Sequence, residues 1–243
     1  GTEGRYGIRD EAIAALYAAQ RRGVEIGIAT GRELEFILDM FERHGVDPAA
    51  AGFPSVIVAE ERLIYTLEGG EYRPDSAWND ALVKAETGYY PVVSELVARL
   101  IDSDLRGIDP TVRRVAEIEQ KRGFVEMVFQ SREAAIRCGQ VLAQALKAVA
   151  PNIVPVRNGK GIALRHVRAA KGTVLRHFAD AAGIPPEHIL AVGDSENDRT
   201  MLDGRYGFQA ATVSNADENI RKLLEERGCY IAQGAYGAGV AEV

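Results

Sequence analysis

Cysteine is nearly missing from this chain: 243 residues hold two, Cys138 and Cys229, far apart in sequence. That excludes a disulfide scaffold and a cysteine zinc site, and it fits a reducing, cytoplasmic compartment. Long hydrophobic runs are missing as well. No stretch is long enough to span a bilayer and the N-terminus lacks a secretory pattern, so no membrane partner is expected. There is no excess of base: 29 Lys and Arg stand against 35 Asp and Glu, a net charge of −6. No basic stripe with interleaved aromatics occurs, so nucleic acid is not an expected partner either. No G-x-G-x-x-G follows an early strand, and the glycine-rich residues 234–239 lead into no strand–helix unit. A nicotinamide cofactor is therefore not expected. The four histidines are scattered without ligand spacing. No internal repeat or low-complexity tract is found.

What is present is apolar content and alternation. Hydrophobic residues make up 47% of the chain, enough for a sizeable core in one large domain or two modest ones. Residues 8–22 have helical apolar spacing, 24–29 read as a buried strand, 33–44 as a helix and 56–59 as a strand. Residues 63–67 pair with Tyr72 across Glu68-Gly69-Gly70. Helix–strand alternation of this kind implies parallel strands with crossover helices. The middle differs. Residues 80–100 are helical in parts, interrupted around Thr87-Gly88. Residues 112–119 and 123–130 read as strands, and 133–149 as a helix capped by Ser131. Residues 153–157 and 161–167 form a hairpin about Asn158-Gly159. Strand follows strand here, which predicts an α+β domain over residues 73–167. The first pattern then returns, with helices over 171–182 and 217–227 and strands over 189–192, 208–213 and 229–232. The expected architecture is α/β: a Rossmann-like parallel-sheet core, residues 1–72 and 168–243, with an inserted α+β cap domain.

Chemistry concentrates in three places. Residues 188–202 read H-I-L-A-V-G-D-S-E-N-D-R-T-M-L. A buried strand meets Gly193 and then a loop bearing Asp194, Ser195, Asn197 and Asp198, at the strand end where open α/β sheets place ligands. The two carboxylates offer oxygen ligands to a hard cation such as Mg²⁺; equally, Asp and Asn suit a turn that caps the next helix. Thr30-Gly31-Arg32 follows another buried strand, where a hydroxyl and exposed N–H groups can hold a phosphate oxygen; Thr-Gly is also an ordinary turn. Lys171-Gly172 opens a helix. A cation there suits a bound anion but not the helix, whose positive end it joins; a solvated surface lysine is the plainer reading. Taken as one set, a hydroxyl, a cation and carboxylates at strand and helix ends are what phosphoryl chemistry requires.

The order T-G-R, K-G, G-D-S-E-N-D-x-x-M-L around an inserted α+β module resembles the haloacid dehalogenase superfamily. It resembles the branch with a large α/β cap, which includes Cof-type sugar phosphatases and sucrose-phosphate phosphatases. Glu61, Ile64-Tyr65, Pro74 and Trp78 add to the second likeness, as do Val213-Ser214-Asn215-Ala216 and Ala238-Gly239-Val240. The resemblance implies an Mg²⁺-dependent phosphatase acting on a phosphorylated sugar or similar small molecule through an aspartyl-phosphate. It implies that Thr30 and Lys171 are catalytic and that Thr30, Gly31, Lys171 and Asn197 bind phosphate. It makes Asp194 and Asp198 the metal residues. The family's D-x-D-G-T motif supplies the nucleophile and the general acid/base. The chain opens Gly1-Thr2, which matches only the end of that motif, so both aspartates are expected upstream of Gly1 and the chain alone is expected to be inactive. The rival expectation is a phosphatase-like domain without nucleophile, serving as a ligand-binding or structural partner of a fused glycosyltransferase.

Overall fold

The structure, a computed structural model, describes residues 10–109, 113–115 and 125–243. It divides into two compact units: residues 1–76, 171–194 and 198–243 form the first, and 77–170 with 195–197 the second. The divisions after residues 76 and 170 lie a few residues beyond the expected boundaries at 72 and 167.

The first unit begins with α1 (Asp10–Gln20), β1 (Gly27–Ala29), α2 (Leu34–Arg43) and the short α3 (Pro48–Ala51). Then come β2 (Val56–Ala59), β3 (Leu63–Glu68) and β4 (Glu71–Pro74). β1 pairs in parallel with β2, Gly27 opposite Val56, while β2, β3 and β4 run antiparallel. All four residues of β2 are buried, as its unbroken Val-Ile-Val-Ala demands of a strand covered on both faces. Ile37 and Phe41 of α2 meet Phe53 and Ile57 over this sheet. Phe41, Phe53 and Ile57 are wholly buried, each stabilising the fold by roughly 1.5–3 kcal/mol.

After the second unit the chain returns through α7 (Lys171–Ala182), β9 (Leu190–Val192), α8 (Arg199–Leu202), β10 (Gln209–Thr212), α9 (Glu218–Glu226), β11 (Tyr230–Ile231) and α10 (Tyr236–Glu242). These strands form a parallel sheet in the order β11-β10-β9. Its core holds Ala191, Leu202, Ala210, Ile220 and Leu224. Successive residues of β1 serve different cores: Ile28 packs on the Phe41 cluster, Ala29 on the Ala191 cluster, as the alternation of a strand requires. One edge of β1 and one of β9 have no strand partner among the described residues. Gly27 is exposed and Leu190 is 50% exposed, unusual for strands of a parallel core.

The second unit contains α4 (Ser76–Asp102), α5 (Asp104–Ile108), β5 (Arg113–Val115), β6 (Val125–Val128), α6 (Arg132–Val149), β7 (Ile153–Asn158) and β8 (Gly161–His166). Its strands form an antiparallel sheet in the order β5-β6-β8-β7. β6 alternates, with Val125 and Met127 inward. Facing them are Cys138, Leu142 and Leu146, four residues apart on α6, and Val97 of α4. Ser131 caps α6, its Oγ accepting from the Ala134 N–H at 3.0 Å.

Three expectations change. α4 runs unbroken through Gly88 and Pro91, because Leu82, Glu86, Val93, Val97 and Leu100 keep one buried face along it; packing outweighs local propensity here. The β7–β8 loop is Gly159-Lys160, one residue later than expected, since Asn158 pairs with Gly161. Gly159 takes φ +56°, the sign that the first loop position of a II′ turn needs. The strand expected over 112–119 is seen as Arg113–Val115; residues 116–119 lie outside the described residues, as do 123 and 124 of the next strand.

Candidate active site

A buried ion pair of the first unit lies at the carboxyl end of β9. Lys171 Nζ donates to Asp198 Oδ1 at 2.7 Å, with both side chains only 7% exposed. The other oxygen, Asp198 Oδ2, accepts the Asp194 N–H at 3.0 Å. One carboxylate thus fastens the first residue of α7 to the end of β9. Two glycines make room for this. A Cβ on Gly193 would lie 2.5 Å from Asp198 Cβ, so Gly193 is the space into which the aspartate folds back. A Cβ on Gly172 would strike the Thr200 carbonyl, and the Gly172 N–H donates to Thr200 Oγ1 at 2.9 Å. The Gly in G-D-S-E-N-D and the Gly in K-G therefore serve one purpose: close approach of α7, α8 and β9.

Lys171 is thus neither a solvated lysine nor a lone charge at a helix start. Asp194 is exposed beyond the strand end, its carbonyl accepting the Asp217 N–H at 2.7 Å ahead of α9. Asn197 is buried, and its Oδ1 accepts from Ser195 Oγ at 2.6 Å.

Thr30 and Gly31 belong to a different hydrogen-bonded group. The Thr30 N–H donates to the Val58 carbonyl at 2.9 Å, and the Thr30 carbonyl accepts the Glu61 N–H at 2.7 Å. The Arg32 carbonyl accepts the Glu60 N–H at 2.8 Å. These bonds continue the β1–β2 ladder past the strand ends and hold the T-G-R loop against residues 60–62. Thr30 Oγ1 accepts the Arg32 N–H at 3.1 Å, which leaves its own hydrogen to donate elsewhere. The Arg32 guanidinium lies 5.1 Å from the Phe36 ring centre. So the structure joins Lys171, Asp194 and Asp198 in one network, and sets Thr30 with Gly31 in another at the end of β1.

Sequence reasoning missed the participation of residues 60–62. Glu60 and Glu61 take φ +52° and +65°, and Arg62, 1% exposed, pairs with Glu60 at 2.9 Å. Burial, then Glu60 and Glu35, push the Tyr65 hydroxyl up. The signal was available: two acids, Glu60 and Glu61, directly follow an apolar strand.

The donors suit a hard cation. Asp194 presents a carboxylate at a strand end, and Mg²⁺ asks for one or two carboxylates besides water and phosphate oxygens. Asp198, with each oxygen already accepting a hydrogen bond, anchors rather than presents. No cluster of three or more His, Cys, Asp or Glu that could hold a metal occurs among the described residues.

Among the described residues no helix is long and apolar enough to cross a membrane. Residues 129–243 match the family model of sucrose-6F-phosphate phosphohydrolase. A phosphoglycolate phosphatase of Methanothermobacter thermautotrophicus is 42% identical over 60 residues, 25% of this chain and 24% of that protein. The match thus spans about a quarter of that relative's length. The sucrose-phosphatase of Synechocystis sp. PCC6803, solved with sucrose and phosphate, superposes with a TM-score of 0.74 at 20% identity, covering 97% of this chain and 91% of that one. A haloacid dehalogenase-like hydrolase from B. subtilis gives 0.66 at 18% identity over 99% and 93%. Residues 129–243 thus match one phosphatase family model, and the whole chain has the fold of haloacid dehalogenase-like hydrolases, the sucrose-phosphatase among them.

Proposed function

We propose that this protein is an Mg²⁺-dependent phosphatase that hydrolyses a phosphorylated sugar or similar small metabolite through an aspartyl-phosphate. The buried Lys171–Asp198 pair at the end of β9 carries this reading. Burying a charge is costly unless it is paired, and a paired ammonium at a strand end is suited to offset the charge of a phosphoryl group. The likeness to a phosphatase solved with sucrose and phosphate supports the substrate class.

Each residue has a defined task. Lys171 donates to a phosphate oxygen and steadies the nucleophile; Asp198 holds it in place. Thr30 donates its uncommitted hydroxyl hydrogen, and the backbone at Gly31 lets a phosphate approach the chain closely. Asn197 supports the phosphate pocket. Asp194 would hold Mg²⁺, with Asp198 fixing the loop behind it; the ion, when bound, neutralises charge on the transferring group. The nucleophile and the acid/base belong to a D-x-D strand inserted between β1 and β9, a reading supported by the edges of those two strands that have no strand partner among the described residues. Residues 73–167 serve as the cap that distinguishes substrates.

The complete gene product should hydrolyse p-nitrophenyl phosphate with Mg²⁺ and lose that activity when EDTA removes the metal. Hydrolysis of neither that ester nor any of a panel of sugar phosphates would sink the reading in favour of a binding domain.

A further inference from the structure

We infer that His166 is a pH-sensitive latch on the segment that leads into α7: neutral, it holds Arg168 over Trp78; protonated, it releases the turn that carries Arg168. The latch goes beyond the phosphatase reading, and only its effect on Lys171 rests on that reading.

His166 ends β8 and is 7% exposed. Its backbone N–H donates to Glu86 Oε1 of α4 at 3.2 Å, and its ring centre lies 6.3 Å from that of Tyr89 on the same helix. Its Nδ1 accepts the Arg168 N–H at 3.2 Å, and its carbonyl accepts the Ala169 N–H at 2.7 Å. A backbone N–H can only donate, so Nδ1 carries no proton and the neutral ring bears its hydrogen on Nε2. The turn these bonds close sets Arg168, whose guanidinium carbon lies 4.6 Å from the centre of the Trp78 ring, a cation–π contact. Two residues after Ala169 comes Lys171.

Protonation makes both ring nitrogens donors. Nδ1–H and the Arg168 N–H then face each other with no acceptor between them, in a ring buried against Tyr89. The new charge also meets that of Arg168. The ring has Glu86 and Tyr89 beside it on α4, the apolar Ile153 opposite it on β7, and Arg168 on its own turn. Arg165, next to it on β8, alternates to the other face. Burial, then Arg168, hold the imidazole below the ordinary 6.5. The unfolded chain therefore takes the proton first, so the latch contributes stability above pH 6.5 and loses it as pH falls from there through the folded value.

Fluorescence of Trp78 in the complete gene product reads the turn, because a guanidinium over an indole alters its emission. Arg168→Ala gives the signal of the released state. Titrated from about pH 8 to about pH 5, wild type should pass to that signal with a midpoint below 6.5. His166→Asn keeps an acceptor, Oδ1, close to the place of Nδ1 and takes no proton, so it should hold the neutral-pH signal throughout. His166→Ala has no acceptor and should show the released signal at every pH. A wild-type signal that stays level, or one that changes equally in His166→Asn, overturns the inference. The arm at Lys171 is separate: vanadate affinity of wild type, relative to His166→Asn at the same pH, should fall with the same midpoint. A level ratio overturns the effect on Lys171, whereas no vanadate binding by wild type at neutral pH counts against the phosphatase reading and leaves fluorescence to decide the latch.

Discussion

A lysine buried at the first position of a helix is an electrostatic misfit, because the helix N-terminus already carries positive potential. Asp198 resolves it from 27 residues further along the chain. The misfit was legible in the sequence; the partner was not, since contacts of that separation leave no periodic trace. The correction is thermodynamic. From sequence, removing a lone lysine should cost nothing or even stabilise. With the pair in view, Lys171→Ala leaves a carboxylate buried without its cation and should lower stability by about 3–5 kcal/mol, readable by urea unfolding, while ending vanadate binding. The double variant Lys171→Ala/Asp198→Asn should recover part of the stability and none of the vanadate affinity. A single variant as stable as wild type would show the pair to be solvated. The two aspartates should also part company. Asp194→Asn should weaken Mg²⁺ binding more than Asp198→Asn, because Asp198 is already engaged by Lys171 and by the Asp194 N–H. Calorimetric titration of both variants decides this; equal affinities would reverse the division between holder and anchor.

Elements whose apolar pattern is self-sufficient were readable to the residue: β2 at 56–59 and α7 at 171–182. Those shaped by distant packing were not. α4 ignores its Gly88 and Pro91, and α10 was unforeseen because Gly-Ala-rich residues 234–239 carry no helical signature. One carboxylate ties α10 to the turn before it. Glu242 accepts from the Tyr230 hydroxyl at 2.6 Å and from the N–H groups of Gln233 and Gly234, each at 2.9 Å. The Tyr230 bond first, then those two N–H groups, hold its carboxyl below the ordinary 4.5. A carboxyl depressed in the folded state contributes stability above its unfolded value and loses it as pH falls through the folded one. Hydrogen exchange at Gln233 and Gly234 should therefore be slow at neutral pH and accelerate below about pH 4.5, beyond the ordinary pH dependence of exchange. In Glu242→Gln it should be fast at both. Protection at Gln233 that persists in Glu242→Gln would assign the anchoring of α10 to its other packing.

At the scale of the molecule, the order of motifs and the switch from alternating helices and strands to consecutive strands sufficed to read an α/β core with an α+β insertion. The separateness of the hydrophobic clusters was not readable, because it depends on which faces meet. The second unit has its own core around Met127, Cys138 and Leu142, and the first is built on the Phe41 and Ala191 clusters. A chain with such independent cores is expected to unfold in two steps. Mg²⁺ with vanadate should raise only the step of the first unit, which holds Lys171, Asp194 and Asp198. Calorimetric scans with and without these ligands check this; a rise in both steps by the same amount would show the two units to be energetically one.

Among the described residues one edge of β1 and one of β9 have no strand neighbour, and this bears on how the polypeptide behaves in concentrated solution. A strand edge without a neighbour is a row of backbone donors and acceptors that any extended chain can satisfy, including the same edge of another molecule. Both edges here are short, three residues each, and β9 carries Leu190 half open to solvent. Where no other segment lies along such an edge, copies of a chain can add to one another edge to edge. A short extended peptide that pairs with the edges would keep copies apart, doing the work of a chaperone with nothing more than backbone hydrogen bonds.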